Sequence, residues 1–476
     1  MKSISKYINL LFILVAALLV SCSEEKYDTS DSPDLTVIRS IKIVNGGVTG
    51  TEVIVGTVNE RKKEITFPEV HMDSDLSKVQ FEAEVPERAN LDSAAYDFSI
   101  PEGDAERKRT IAVVNGTRKR EYFVTIKLDV PVWGADFSEA KAKVYDFSSK
   151  TTIYPEFVSA SNGRMAGMDL EHVLIVSRSG NPHLLKLSEL KEGTINPINL
   201  NLTGVTGGTY PRNGGRLVNG HVYICNLNTG FGSVATKVYH WTTEHPEAAP
   251  EVVASFTAAD LVAGDAASRY GDFMSIDLDE NGNGYIFMGN NPATTPARIL
   301  RISVTGYTTG SEPTIVNPAT YAGLWASYNH VDGADDEYLY TGHQNAIFLL
   351  SAGGAPLYTI PTSAIAATQG CDARIINFNK ERYLVMLADA TSAGRIVVYD
   401  ITKGATTTEA LTLLANSVPE PLFSYSLGGA IPAANASVCI GWAKDGNDKL
   451  YLLGAGVQAG FAIIEFPKKV KETAAP

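Results

Sequence analysis

"DENGNGYIFMGN", residues 279–290, joins two turn-forming Asn-Gly pairs to an apolar run, and five other segments align with it without gaps. They are "MDLEHVLIVSRS" from Met168, "LVNGHVYICNLN" from Leu217, "DGADDEYLYTGH" from Asp332, "FNKERYLVMLAD" from Phe378 and "DGNDKLYLLGAG" from Asp445. Their spacing averages roughly 55 residues, the range in which a repeat signals a solenoid or a propeller. Each segment has an apolar strand ahead of its turn, such as "FMSIDL" or "ARIINF", and another after it, such as "KVYHWTT" or "RIVVYDI". Five carry a further outer strand: "INPINLNL", "PEVVASF", "EPTIVNP", "PLYTIPT" and "EALTLLA". The sixth has none, and "AKVYDFS", residues 142–148, is expected to complete it from the other end of the repeat region. Four-stranded units closed around an axis make a β-propeller. Six blades are expected, or seven if "TTIYPEFVSAS" belongs to a degenerate one.

The same stretch invites a metal reading, because Asp277, Asp279 and Asn281 sit at alternate positions before Gly282. A helix-loop-helix calcium loop needs a bidentate carboxylate at its twelfth position, and Met288 stands there. The sister segments share the turn and not the carboxylates. Asn281-Gly282 and Asn283-Gly284 suit the positive backbone angles of a tight hairpin.

A chain of 476 residues, 44% of them hydrophobic, has room for more than one core. Its formal charge of -13 repels phosphate backbones, so nucleic acid is not an expected partner. Residues 1–21 read as a signal: Lys2 and Lys6, the run "LLFILVAALLV", then Leu19-Val20-Ser21 directly before Cys22. This resembles a bacterial lipoprotein signal, which implies cleavage before Cys22 and lipidation of that residue. "SEEKYDTSDSPD" continues a flexible acidic tether over residues 22–34. Acidic residues behind a lipidated Cys resemble the surface-export signal of Bacteroidetes lipoproteins, which implies an outer-membrane protein displayed on the cell surface. Cys225, Cys371 and Cys439 form no CxxC pair and read as buried thiols rather than a disulfide framework or a zinc site.

Residues 35–130 alternate apolar and polar positions in short runs, among them "TVIRSIKIV", "KEITFPEV" and "EYFVTIKL". Half-buried antiparallel strands of this kind suit a β-sandwich, with Asn115-Gly116 turning its last hairpin. The basic runs "ERKRT" and "RKREY" are expected on a solvated strand face. The region resembles immunoglobulin-like spacer domains of Bacteroidetes surface lipoproteins. The propeller is expected over residues 131–470, with a short tail at 471–476, so the fold class is all-β: sandwich, then propeller.

If strands are counted from the axis outward, the repeated turns all join first to second strands and share one face. The opposite face receives the crossings between blades. Those crossings carry Arg164 in "SNGRMAG", Tyr210 and Arg212 in "GGTYPRNGG", Arg269, Tyr270 and Asp272 in "ASRYGDF", and Trp325 and Tyr328 in "GLWASYNH". Asp372 and Arg374 in "GCDARI" and Tyr425 in "FSYSLGG" complete the set. Loops on the same face add Asn181, Asn226, Asn228, Phe231, Asn290, Asn291, His343, Gln344 and Asp389. Aromatic rings cover the apolar face of a pyranose, and Arg, Asp and Asn fix its hydroxyls, so this face is the expected glycan site, with Trp325 and Tyr270 foremost.

No nucleophile elbow, phosphate-binding loop, HExxH helix or dinucleotide fingerprint occurs, and no cofactor or metal is implied. Asp272 and Asp372 could act as an acid-base pair, or be held by Arg269 and Arg374; His183, His330 and His343 could approach one another near the loop face. The whole chain resembles a Bacteroidetes surface lipoprotein, similar in layout to accessory glycan-binding proteins of starch-utilisation-type uptake systems. That resemblance implies a non-catalytic binder of a glycan or glycoprotein beside an outer-membrane transporter. A propeller lyase or hydrolase and a protein-interaction scaffold are the alternatives.

Overall fold

The computed structural model describes residues 33–471 apart from 102–103, 150–151, 160–161, 230–233, 258–260, 262–268, 292–295, 345, 362, 366–371, 389–392 and 432–437. The signal segment, Cys22, the tether up to residue 32, the tail from residue 472, and Phe231, Cys371 and Asp389 therefore lie outside the described residues. The chain is all-β in character and divides into two compact units, Met1–Pro131 and Val132–Pro476.

In the first unit Ser40–Gly46 lies between Glu52–Val55 and Phe81–Glu84, while Arg118–Asp129 and Glu106–Asn115 form the centre of a second sheet. The two sheets share one apolar core that includes Ile41, Ile43, Ile111, Val113, Tyr122 and Val124. The final hairpin turns where its sequence asks it to: Asn115 pairs with Arg118, and Gly116 takes a φ of +61° in the two-residue loop. The basic strand residues meet acidic neighbours, as in Lys108 with Glu106 and Lys119 with Glu121. One feature departs from an all-antiparallel reading. Glu64–Thr66 and Val70–His71 pair parallel with Arg118–Asp129, because the long last strand offers an edge to two short segments arriving in the same direction.

The second unit contains six small antiparallel sheets among the described residues, taken up in chain order. Their first strands are Gly163–Met168, Tyr210–Val218, Ser275–Leu278, Gly323–His330, Asp372–Phe378 and Val438–Asp445. Second strands such as His172–Ser177 and Glu381–Ala388 are buried almost throughout, which is why they read as unbroken apolar runs. Outer strands such as Glu251–Phe256 mix exposed and buried positions. Apolar clusters lie between neighbouring sheets, and each first strand packs against the next, the sixth returning to the first. Lys143–Phe147 pairs with Gly460–Pro467 and so supplies the outer strand that the last repeat lacks.

The turn of residues 279–284 is held by Asp279 Oδ1, which accepts the amides of Asn281 and Asn283 at 2.8 Å each, while Gly282 and Gly284 take φ of +75° and +150°. One expected strand is instead a helix. "EALTLLA" lies in Thr407–Ser417, where Thr406 accepts the Glu409 amide and Glu409 accepts the Ala405 amide, a reciprocal cap that overrides the short apolar run. Ala410, Leu411 and Leu414 form its buried stripe. The outer strand of the fifth sheet is Phe423–Ala430, so Tyr425 sits on an outer strand rather than in a crossing, its hydroxyl donating to Asp146 Oδ2 at 2.9 Å.

Five of the six sheets, and the segment leading into the third, meet at one buried ion pair. Arg216 Nη2, from the second sheet, lies 2.9 Å from Asp372 Oδ2, from the fifth, with side chains 5% and 0% exposed. Asn329 of the fourth sheet donates to Asp372 Oδ1 at 2.7 Å, and the Ile440 amide of the sixth donates to Oδ2 at 2.9 Å. Arg216 Nη1 donates to Ala166 O in the first sheet at 3.3 Å, and the guanidinium lies 4.7 Å from the ring of Phe273, which leads into the third. Removing one member of such a pair strands the other. Asp372→Asn should lower unfolding free energy by about 3–5 kcal/mol, whereas the double change R216M with D372L should recover much of that loss. Chemical denaturation of the three variants checks both.

Candidate functional site

The starting ends of the first three inner strands bring several of the sequence-nominated residues together. Arg164 lies at the start of Gly163–Met168, Tyr210 and Arg212 at the start of Tyr210–Val218, and Arg269 and Asp272 just ahead of Ser275–Leu278. Arg269 pairs with Asp272, Nη2 donating to Oδ1 at 2.5 Å, and Asn291 donates to Oδ2 at 3.0 Å. Arg212 donates twice to Gly180 O, at 3.1 and 2.9 Å. Arg178 was not nominated, since it falls in the repeat rather than in a crossing. It binds Asn213 Oδ1 through Nε at 2.8 Å and lies 4.0 Å over the ring of Tyr210, whose residue remains 36% exposed. Burial, aided by Arg178, pushes the Arg164 guanidinium down to about 10, and burial lowers that of Arg178. Arg269 thus contacts Asp272 directly and Arg164 and Arg178 feel its charge, while Arg212 is held by the Gly180 carbonyl beside the Glu156 carboxylate.

Three other nominated aromatics, Tyr270, Tyr328 and Trp325, have no free face. Tyr270 is fully buried and exchanges backbone hydrogen bonds with Asn228. Tyr328 stacks on Tyr338 at 4.6 Å and donates its hydroxyl to Ser351 O at 2.6 Å. Trp325 is 7% exposed and meets His343 edge-on at 5.3 Å. Its φ of +51° is a left-handed conformation that costs a bulky residue on the order of 1–3 kcal/mol, and its buried indole N–H has no hydrogen-bond partner. Residues on inner strands point alternately into the spaces between sheets, and that direction depends on register. Loop asparagines are also spoken for: Asn228 and Asn290, equivalent in the repeat, each donate to the carbonyl six residues on, Val234 and Pro296.

Asp272 is held by Arg269 as one reading expected, whereas Asp372 is claimed by Arg216 and approached by Arg374 Nε only at 3.8 Å. His183 binds Tyr154 and Asn181 O, and among the described residues no three His, Cys, Asp or Glu side chains gather to hold a metal ion. Cys225 and Cys439 are buried free thiols, with burial raising Cys225 to about 12.

At the opposite ends of the inner strands lies a recess of about 680 Å³, on the face of the repeated turns that the sequence argument sets aside. Arg216 and Arg374 reach into it, with Asp277, His330, Asp332, Trp442 and Lys444 around the wall. Lys444 donates to Asp332 Oδ2 at 3.2 Å and lies 5.2 Å from the Trp442 ring. No motif announced this recess, because its lining is gathered from short stretches of all six sheets that are far apart in sequence.

The molecule is thus an all-β protein of small, cyclically packed antiparallel sheets, with an arginine-rich cluster at one end of its inner strands and a polar recess at the other. The chain belongs to the DUF4623 family, described as a domain of unknown function, whose pattern matches residues 25–469. It is similar to a crystal structure of a DUF4623 family protein from Bacteroides eggerthii, with 35% identity, a TM-score of 0.71, and coverage of 92% of this chain and 99% of that one. A subtype N10 neuraminidase-like protein of a little yellow-shouldered bat influenza A virus aligns at 11% identity over 67% of this chain and 97% of that one, with a TM-score of 0.40. No curated protein matches.

His330 Nδ1 lies 3.2 Å from Asp277 Oδ2, and this contact, against the cost of burial, raises the imidazole above its ordinary value; Asp332 acts in the same direction. A raised value means that the fold favours the charged ring. The stabilisation is fully present below about pH 6.5 and is lost as pH rises through the folded-state value. Proton NMR should therefore find His330 titrating above 6.5, and Asp277→Asn should bring it down.

Proposed function

We propose that this chain is a non-catalytic glycan-binding lipoprotein of the outer membrane: a lipidated Cys22, an immunoglobulin-like sandwich as spacer, and a six-bladed β-propeller that holds the ligand. The carrying observation is the cluster of Arg164, Arg178, Tyr210, Arg212, Arg269 and Asp272, drawn from three sheets at one end of the inner strands. The propeller reading draws support from the cyclic packing of first strands and from the closing strand Lys143–Phe147. The lipoprotein reading draws support from the signal ahead of Cys22, and the family's occurrence in Bacteroides is consistent with it.

In this reading Tyr210 is the platform for a sugar ring, since Arg178 fixes its orientation and the residue keeps exposed surface. The arginines favour glycans that carry carboxylate or sulfate groups, which accept charge-assisted, paired hydrogen bonds. Anchoring then raises affinity through local concentration beside a transporter rather than through a larger contact.

Affinity electrophoresis against neutral and acidic polysaccharides, with a reducing-end assay on the same mixtures, tests this. Retardation in acidic polysaccharide gels without new reducing ends is the expected result, and Tyr210→Ala should weaken it at least about tenfold, on the order of 1.4 kcal/mol. Released reducing ends would make the protein an enzyme; neither retardation nor release would point to a protein-interaction scaffold. Separately, Cys22→Ala should move the protein from the membrane to the soluble fraction on cell fractionation.

A further inference from the structure

We propose that the recess at the turn end of the inner strands is a second binding site, taking a small organic carboxylate whose anionic group pairs with Arg374 and whose body lies against Trp442. The argument begins with a saturated acid. Asp372 Oδ1 accepts from Asn329 at 2.7 Å, and Oδ2 accepts from Arg216 and from the Ile440 amide, each at 2.9 Å. Arg374 comes no nearer than 3.8 Å, beyond hydrogen-bond reach. Its buried Nε has no hydrogen-bond partner, and only 12% of its side chain is exposed, at the recess.

Two guanidinium groups therefore share one carboxylate at the floor. Among the other acids of the lining, Asp277 is engaged by His330 at 3.2 Å and Asp332 by Lys444 at 3.2 Å, Asp169 accepts the Glu171 and His172 amides at 2.9 and 2.7 Å, and Glu171 is exposed. A buried cation in this position is completed by an incoming anion, and a carboxylate offers the two acceptor oxygens that the guanidinium fork matches. The volume of about 680 Å³ falls among small-molecule sites rather than ion sites. Leu217, Ile276 and Ile440 supply apolar wall beside the half-buried indole of Trp442. A bare inorganic anion would leave that surface unused.

This site is separate from the arginine cluster, so its test uses different probes. Ligand-observed NMR titrations with benzoate and 3-phenylpropionate would be paired with the neutral benzyl alcohol and 3-phenylpropanol on the wild-type protein. At least one carboxylate is expected to bind with Kd below about 10 mM and at least about tenfold tighter than its neutral partner. Arg374→Gln should remove that difference, Trp442→Ala should weaken the carboxylate, and Tyr210→Ala should leave it unchanged. Equal binding of each acid and its neutral partner, no binding by any acid, or binding undisturbed in a folded R374Q protein overturns the proposal. Where R374Q fails to fold, W442A decides, since the Trp442 side chain is half-buried at the recess wall: acid binding undisturbed in that variant overturns the proposal.

Discussion

The pairing of Arg216 with Asp372 across the interior of the second unit governs how its six sheets fit together. Neither residue belongs to a neighbouring sheet of the other, and every remaining sheet or its approach touches one of the two. Apolar packing between neighbours is tolerant of small slides, since hydrophobic attraction has no direction. A buried ion pair with four further directional contacts is not tolerant. It is costly to desolvate, and it holds only when all contributors arrive at one register. Fixing register, rather than adding net stability, is the better-attested use of buried charge of this kind.

From that centre the two ends of the inner strands acquire different chemistry. The chain as a whole is acidic, at -13, yet Arg164, Arg178, Arg216 and Arg374 are drawn inward. At the recess the two signs interleave, with Arg216, Arg374 and Lys444 among Asp169, Glu171, Asp277, Asp332 and Asp372. Low-dielectric walls strengthen the field of each inward cation, so a small anion placed directly beside one experiences a local pull that the net charge conceals.

Much of the fold was readable because turn chemistry and apolar runs recur together. Residues 279–290 and their sisters mark the first-to-second turns, and the unpaired last repeat pointed to the strand Lys143–Phe147. "EALTLLA" misled because seven residues fit either period, and the capping pair Thr406 and Glu409 decided for helix. The site was half readable. Residue types placed Arg164, Tyr210, Arg212, Arg269 and Asp272 at one end, but Trp325, Tyr270 and Tyr328 turn into the packing, which only register decides. Arg178 escaped notice inside the repeat, and the recess escaped it because convergence of short stretches from six sheets leaves no local pattern.

The strand Lys143–Phe147 has a consequence for how the unit is made. It precedes the first sheet in sequence yet completes the last, so partners such as Lys143 and Glu465 are more than three hundred residues apart. The cyclic arrangement cannot be finished until nearly the entire chain has been synthesised, and loop closure of that span must precede the reward of its contacts. Until then the outer edge of the sixth sheet stays unpaired. A chain truncated shortly before Gly460 would leave both Lys143–Phe147 and Lys449–Gly456 with an unpaired edge rather than lose a peripheral ornament.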